Sequence, residues 1–197
     1  MNIKKILKGI TEIPNAVYNK ILLSYRHVSY GENLIIHGRL FCVSNSKNGI
    51  SIGDHVSINS SRWSNPIGGD TKTILFAKDH GKIRIGNHCG LSNTTIFASD
   101  SIMIGDNVRI GGGTKIYDTD FHWLDLNRRL NEEGGEKRPV VIQNGVFIGA
   151  HTIILKGVTV GENSVIGAGS VVTKSIPSGE VWAGNPARFV RKLTQGE

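Results

Sequence analysis

Only two cysteines occur in the 197 residues. Cys42 and Cys89 offer no framework of spaced pairs, which excludes a disulfide-stapled fold and makes the cytoplasm the expected compartment. A long apolar run is also missing, because nothing approaches the about 20 consecutive apolar residues that a membrane-crossing helix needs. The opening MNIKKILKGI is no secretory leader, since Lys8 and Glu12 interrupt the apolar stretch and no small-residue cleavage site follows. Ile3, Ile6, Leu7 and Ile10 share one helical face. Residues 1–30 are therefore expected to form a helical segment packing its apolar face on the protein, with weak membrane-surface contact as the alternative. The net charge of +7 raises nucleic acid as a partner, but no contiguous basic stripe accompanies it. Residues 1–33 hold five Lys/Arg against two Glu, residues 174–197 hold four against two, and the middle carries no basic band with stacking aromatics. Nucleic acid is excluded on that ground, and a smaller ligand with two or three phosphates fits the C-terminal cluster.

What the chain does have is a repeat. Ile142, Ile148, Ile154, Val160, Ile166 and Val172 recur every sixth position. That period suits neither a 3.6-residue helix nor an ordinary strand run, and it is the period of hexapeptide β-helices. A second inward position follows each by four residues, at Val146, Thr152, Val158, Ser164, Ser170 and Ile176. Three short strands and three corners then close a triangular coil of about eighteen residues, and stacked coils bury one apolar column. The frame continues upstream through Leu34, Leu40, Ile52, Ile58, Ile85, Leu91, Phe97, Ile104, Ile110 and Ile116, with a weak position at Ser46. Cys89 falls on an inward position and reads as a small buried hydrophobe. Residues 59–82 look like a broken coil, and 117–141 contain no repeat at all. A long loop inside a compact repeat domain is usually functional.

The outward positions carry an assembly argument. Phe147 stacks with Val165 and Ile153 with Val171, while Thr159 and Pro177 mark the third face. A prism with two apolar outer faces is suited to closure around a three-fold axis, so a homotrimer is expected.

Three stretches carry a family resemblance: DTDFHWLD at 118–125, VFIGAHTIILKGVTVGENSVIGAGSVVTK at 146–174 and AGNPARFVRK at 183–192. With the earlier repeats, the chain resembles the hexapeptide-repeat acyltransferases, in particular the sugar O-acetyltransferases of galactoside and maltose type. The resemblance implies an all-β fold, a left-handed parallel β-helix over 31–181. A helical segment at 1–30 precedes it, a loop is inserted at 117–141, and a short C-terminal tail helix at 182–197 packs on it. It also implies acetyl-CoA as acyl donor, no metal, and a sugar or glycan acceptor.

The resemblance makes His122 the general base. Attack of a hydroxyl on a thioester requires proton removal near neutral pH, where imidazole titrates. Asp118, Asp120 and Asp125 could orient the ring or cap turns by themselves. Asn93 matches an asparagine that contacts ligands in the family, and Trp123 stands where close sugar acetyltransferases carry proline, offering a stacking platform for a sugar or a plug for the loop. Acceptor contacts are therefore expected at Asn93, Asp120 and Trp123. For the coenzyme the resemblance points to Ala150, Ala168, Thr173, Lys174, Arg188 and Arg191, the cations suiting the adenosine phosphates. Some relatives carry a hydroxyl in place of Ala150, so only its backbone N–H could help an oxyanion. His151 falls at an outer corner and reads as structural or groove-lining. An N-acetyltransferase acting on an amino sugar would look alike at base and donor site. A β-helical carbonic anhydrase needs three converging histidines. The seven here contain no His-x4-His pair, and only His37 and His55, one coil apart, are placed to stack. A non-catalytic solenoid would have no reason to carry the histidine loop and the basic tail.

Overall fold

In the computed structural model, residues 3–194 are described, with side chains from residue 13 on. A helix, α1 (Ile3–Tyr25), leads into a prism of short parallel strands. Sheet I stacks Ser29–Tyr30, Ile50–Ile52, Lys82–Ile85, Ser101–Ile104, Val140–Ile142 and Thr159–Val160. Sheet II stacks Ile35–Gly38, Ser57–Ser60, Gly90–Ser92, Arg109–Ile110, Phe147–Ile148, Val165–Ile166 and two terminal strands, Glu180–Gly184 and Ala187–Lys192. Sheet III stacks Phe41–Ser44, Ile74–Ala77, Thr95–Ala98, Lys115–Tyr117, Ile153–Ile154 and Val171–Val172. The chain visits the sheets in the order I, II, III in each turn, so every coil closes a triangle.

The repeat column is the core. All six aliphatic positions from Ile142 to Val172 are buried, as are all six companions from Val146 to Ile176. Burying each of these Ile and Val side chains stabilises the fold by roughly 1.5–3 kcal/mol. Small residues at the companion positions close the corners with hydroxyls. Thr152 Oγ1 donates to Gly149 O at 2.8 Å and Ser170 Oγ to Gly167 O at 2.6 Å, so a buried polar side chain satisfies a turn carbonyl.

Regular eighteen-residue coils hold only in the C-terminal part, where Phe147 pairs with Val165 and Ile153 with Val171. Upstream, Ile58 pairs with Leu91, a coil lengthened by excursions. The span 59–82 is only partly irregular. An excursion over 61–73 includes a 3₁₀ turn at Pro66–Gly68, after which Ile74–Ala77 rejoins sheet III in register with Phe41–Ser44. The six-residue frame also slips at Phe97. Ile96 and Ala98 are buried and Phe97 faces outward, stacked on Phe76 with ring centroids 4.9 Å apart. The corner at Asn93 and Thr94 is shorter than the frame requires, with Asn93 left-handed at φ 46°. Of the histidines, His55 stacks on His88 at 4.9 Å, not on His37, because both occupy left-handed corner positions on the same edge.

One expectation is corrected, at the carboxyl end, while the packing expected of Ile3, Ile6, Leu7 and Ile10 lies outside the residues whose side chains are described. The tail is not a helix: Glu180–Gly184 pairs in parallel with Val165–Ile166, then turns into an antiparallel pairing with Ala187–Lys192. The β-branched and aromatic residues Val181, Trp182, Phe189 and Val190 favour strand, and the pairing prolongs sheet II by two strands. In α1, the face that docks on the first coil is polar at its centre. Asn19 is buried, its Nδ2 donating to Gly38 O at 2.8 Å and its Oδ1 accepting from Leu40 N at 3.0 Å, with Leu23 buried beside it. Ile13, Val17 and Ile21, in contrast, are exposed.

Candidate functional site

The long loop leaves sheet III after Tyr117 and re-enters sheet I at Val140. Its base is zipped. Arg138 N donates to Asp118 O at 2.9 Å, Asp120 N to Glu136 O at 3.0 Å, and Thr119 bridges Lys137 in antiparallel fashion. Asp118 is fully buried and its two carboxylate oxygens each accept, at 2.8 Å, from the amides of Ser99 and Asp100 on the previous coil. Burial pushes its carboxyl above the ordinary carboxylate range, the two amides opposing that shift. One coil onward, Lys156 reaches up to Asp120 at 2.9 Å and Glu136 at 3.4 Å, with its side chain only 14% exposed.

The loop tip is pinned by aromatics. Phe121, left-handed at φ 64°, packs against Phe97 and Tyr117 with centroids 4.9 and 5.2 Å away. Trp123 lies under the Arg128 guanidinium, 3.3 Å from the ring centroid, and its Nε1 is buried without a hydrogen-bond partner. Arg128 belongs to α2 (Leu126–Asn131), whose N-cap is Asp125, accepting from Arg128 N at 2.9 Å. His122 sits between Phe121 and Trp123 and is exposed, its amide donating to Asp120 O at 2.7 Å. Gly135 on the returning limb of the loop touches the same peptide; a Cβ there would stand 2.9 Å from His122 N. All three loop aspartates are thus engaged elsewhere: Asp118 with the coil, Asp120 with Lys156, Asp125 with its helix. A cavity of about 260 Å³ lies beside this tip, lined by Phe97, Ser99, Phe121, Trp123 and Lys137.

Thr173 and Lys174 are exposed on the same edge of the prism, between sheets III and I, below the loop. Asn93, Ala150 and Ala168 lie on the edge between sheets II and III. Asn93 is buried there; its Nδ2 donates to Thr71 O, and its Oδ1 has no hydrogen-bond partner. Below it the corners climb as a staircase of bare backbone. A Cβ on Gly111 would sit 2.5 Å from Ala150 N, and one on Gly149 would sit 2.4 Å from Ala168 N. No side chain fits between these turns, so Ala150 and Ala168 present a narrow, smooth edge. His151 ties the 61–73 excursion to this edge, its Nε2 lying 3.2 Å from Ile67 O. Arg188 and Arg191 are exposed on the last strand, where Arg188 donates to Ala187 O at 2.9 Å and Arg191 to Lys192 O at 3.2 Å.

The two thiols lie outside this chemistry. Burial pushes Cys42 up to about 12 and raises Cys89, so neither forms a thiolate near neutral pH. Among the described residues, no three His, Cys, Asp or Glu side chains cluster as metal ligands. Sequence reasoning missed Lys156, Arg128 and Gly135. Lys156 could have been suspected from LKGV, a lysine at the corner one coil below the loop, but its partners are set only by the fold.

Residues 139–174 match the family described as bacterial transferase hexapeptide (six repeats). The galactoside O-acetyltransferase of Escherichia coli (strain K12) is 45% identical over 101 residues, 51% of this chain and 49% of that protein. The chain thus spans about half the length of that curated relative. A galactoside acetyltransferase in complex with coenzyme A shares 29% identity at a TM-score of 0.59, over 89% of this chain and 69% of that one. A maltose O-acetyltransferase from Clostridium difficile 630 shares 27% at a TM-score of 0.60, over 95% and 87%. The six-residue core column, the three parallel sheets and these similarities together give the chain the left-handed parallel β-helix fold of the galactoside and maltose acetyltransferases that it resembles.

Proposed function

We propose that the protein is a coenzyme A-dependent O-acetyltransferase acting on a sugar or glycan hydroxyl, with His122 as general base. The carrying observation is the presentation of His122: an exposed imidazole on a loop whose tip and base are both fixed to the coils. A base that must take a proton within hydrogen-bond reach of its substrate needs such a rigid mount. In the reaction the acceptor hydroxyl gives its proton to His122 as its oxygen bonds the thioester carbonyl carbon. The tetrahedral intermediate collapses with cleavage of the carbon–sulfur bond, and the coenzyme thiolate takes the proton back from the imidazolium. Backbone N–H groups on the Gly149–Ala150 and Gly167–Ala168 staircase support an extended pantetheine arm, and Lys174, Arg188 and Arg191 suit the adenosine phosphates. The unpaired Oδ1 of Asn93 is suited to a ligand donor at the head of the same edge.

The base and the staircase occupy opposite edges of sheet III, whose strands of up to four residues span roughly 13 Å at 3.3 Å per residue. Direct proton transfer works over about 3 Å. His122 of one chain is therefore best matched with the staircase of a neighbour, which supports a homotrimer with sites shared between subunits. Sheet III offers the apolar surface for it in the outward positions Phe41, Ile74, Ile153 and Val171.

His122→Ala is expected to lower acetyl transfer by ~10²- to 10⁴-fold with an unchanged circular dichroism spectrum. Retention of more than half the wild-type kcat would overturn the assignment of the base. Acetyl-CoA offered with neutral sugars and with amino sugars, read by product mass and hydroxylamine sensitivity, separates ester from amide. Amide products alone would overturn the hydroxyl acceptor.

A further inference from the structure

Helix α1 is anchored by one face and displays another. Asn19 and Leu23 dock on the first coil, while Ile13, Val17, Ile21 and Tyr25 are 69%, 54%, 65% and 73% exposed. These four residues are each four apart, so they drift by only about 40° per step and form one stripe along the helix. In the sequence, Ile10, Ile6 and Ile3 follow towards the amino end at steps of three and four residues. A stripe of this length on a helix already docked through its opposite side is not the core face of this chain.

The rim of the stripe is cationic. Arg39 stacks on Tyr18 at 5.1 Å and Arg26 on Tyr25 at 5.3 Å, and Lys20 lies between them on the helix. The helix sequence contributes Lys4, Lys5, Lys8 and Lys20 against a single acid, Glu12. Tyrosines with an apolar body and a polar tip, flanked by arginine, are the residues found at the level of lipid headgroups. Among the residues with described side chains, Lys20, Arg26 and Arg39 are the cations nearest this stripe, and a charge within about one Debye length of an anionic surface is attracted to it. Among the described residues no helix is long and apolar enough to cross a membrane, so α1 fits a helix lying in the plane of the interface.

We infer that α1 seats the protein on an anionic lipid surface, its isoleucine and valine stripe entering the acyl boundary and its Lys and Arg rim meeting the headgroups. The inference is independent of the acyl-transfer reading. Anionic lipid is favoured over a second copy of the chain because a bilayer complements both the stripe and its cationic rim, whereas a copy would bring one rim against another.

The test is flotation of the full chain with vesicles of phosphatidylcholine alone or with one-third phosphatidylglycerol, beside the double variant Val17→Glu/Ile21→Glu. The wild type is expected to bind the anionic vesicles roughly tenfold or more tightly than the neutral ones, and the variant to lose binding. Both positions are exposed, so the variant should keep its circular dichroism spectrum and its mass in light scattering. No wild-type binding, or equal binding by the variant, overturns the inference. A variant with altered oligomeric mass overturns it as well, because the stripe would then be a contact between copies.

Discussion

Removing the carboxylate of Asp118 should loosen the loop that carries His122. Asp118 is fully buried and its oxygens take the amide hydrogens of Ser99 and Asp100, each at 2.8 Å, while its own carbonyl accepts from Arg138 N at 2.9 Å. Asp118→Ala orphans two amides, and an unsatisfied buried donor costs about 1–3 kcal/mol. Ser99 is half-buried and Asp100 exposed, so water can reach one of them; the combined loss is about 2 kcal/mol. Asp118→Asn keeps one acceptor and turns an NH₂ towards the other amide, for about 1 kcal/mol. Urea unfolding with unchanged slope measures both. The pH dependence distinguishes the charged group from its neutral isostere. Burial raises the native carboxyl above its unfolded value. Over the window from about pH 4 to the raised native value the native state holds more protons than the unfolded one, so this group's contribution falls as pH rises and is level above. The advantage of the wild type over Asp118→Asn should therefore be largest in acid and shrink towards neutrality. An Ala variant within 0.5 kcal/mol of wild type, or an Asn difference that grows with pH, would refute the reasoning.

Lys174→Ala and Arg188→Ala should each raise KM for acetyl-CoA more than for an acyl donor lacking the adenosine phosphates, because a charge-assisted contact is lost at one end only. Equal effects on both donors would move these residues out of the phosphate site. Light scattering of the full chain should give the mass of three chains. A fully active monomer would sink both the trimer and the shared site.

How much of this was legible in sequence depends on where the period is strict. From Val140 to Val172 every sixth residue points inward because each corner has the same length, and inward and outward sets follow without error. Upstream, the corners vary. One residue fewer after Leu91 exchanges Phe97 for Ile96 and Ala98, since a single-step slip turns every side chain of a strand to the other face. The tail misled differently. AGNPARFVRK has no inward period, because its strands are held by hydrogen bonds to the last coil and to each other. The helix α1 was legible as a helix. Over the residues with described side chains, its docking contact centres on Asn19, whose two hydrogen bonds to Gly38 and Leu40 do what an apolar stripe would otherwise do.

The candidate site was legible as a set of residues and illegible as an arrangement. An irregular, polar loop interrupting a strict repeat drew attention to residues 117–141, and the family resemblance then singled out His122, Asp120 and Trp123 within it. The supports that fix them come from other coils, through contacts no local pattern records: Lys156 beneath Asp120, Phe97 behind Phe121, and Ser99 and Asp100 around Asp118. The same holds for the division between two edges. In sequence Trp123 stands nearer to Ala150 than to Lys174, yet the triangular path puts Ala150 on the far edge of sheet III and Lys174 on the loop's own edge. That path separates the base from the backbone staircase within one chain, and it is why the proposed chemistry requires a neighbouring copy.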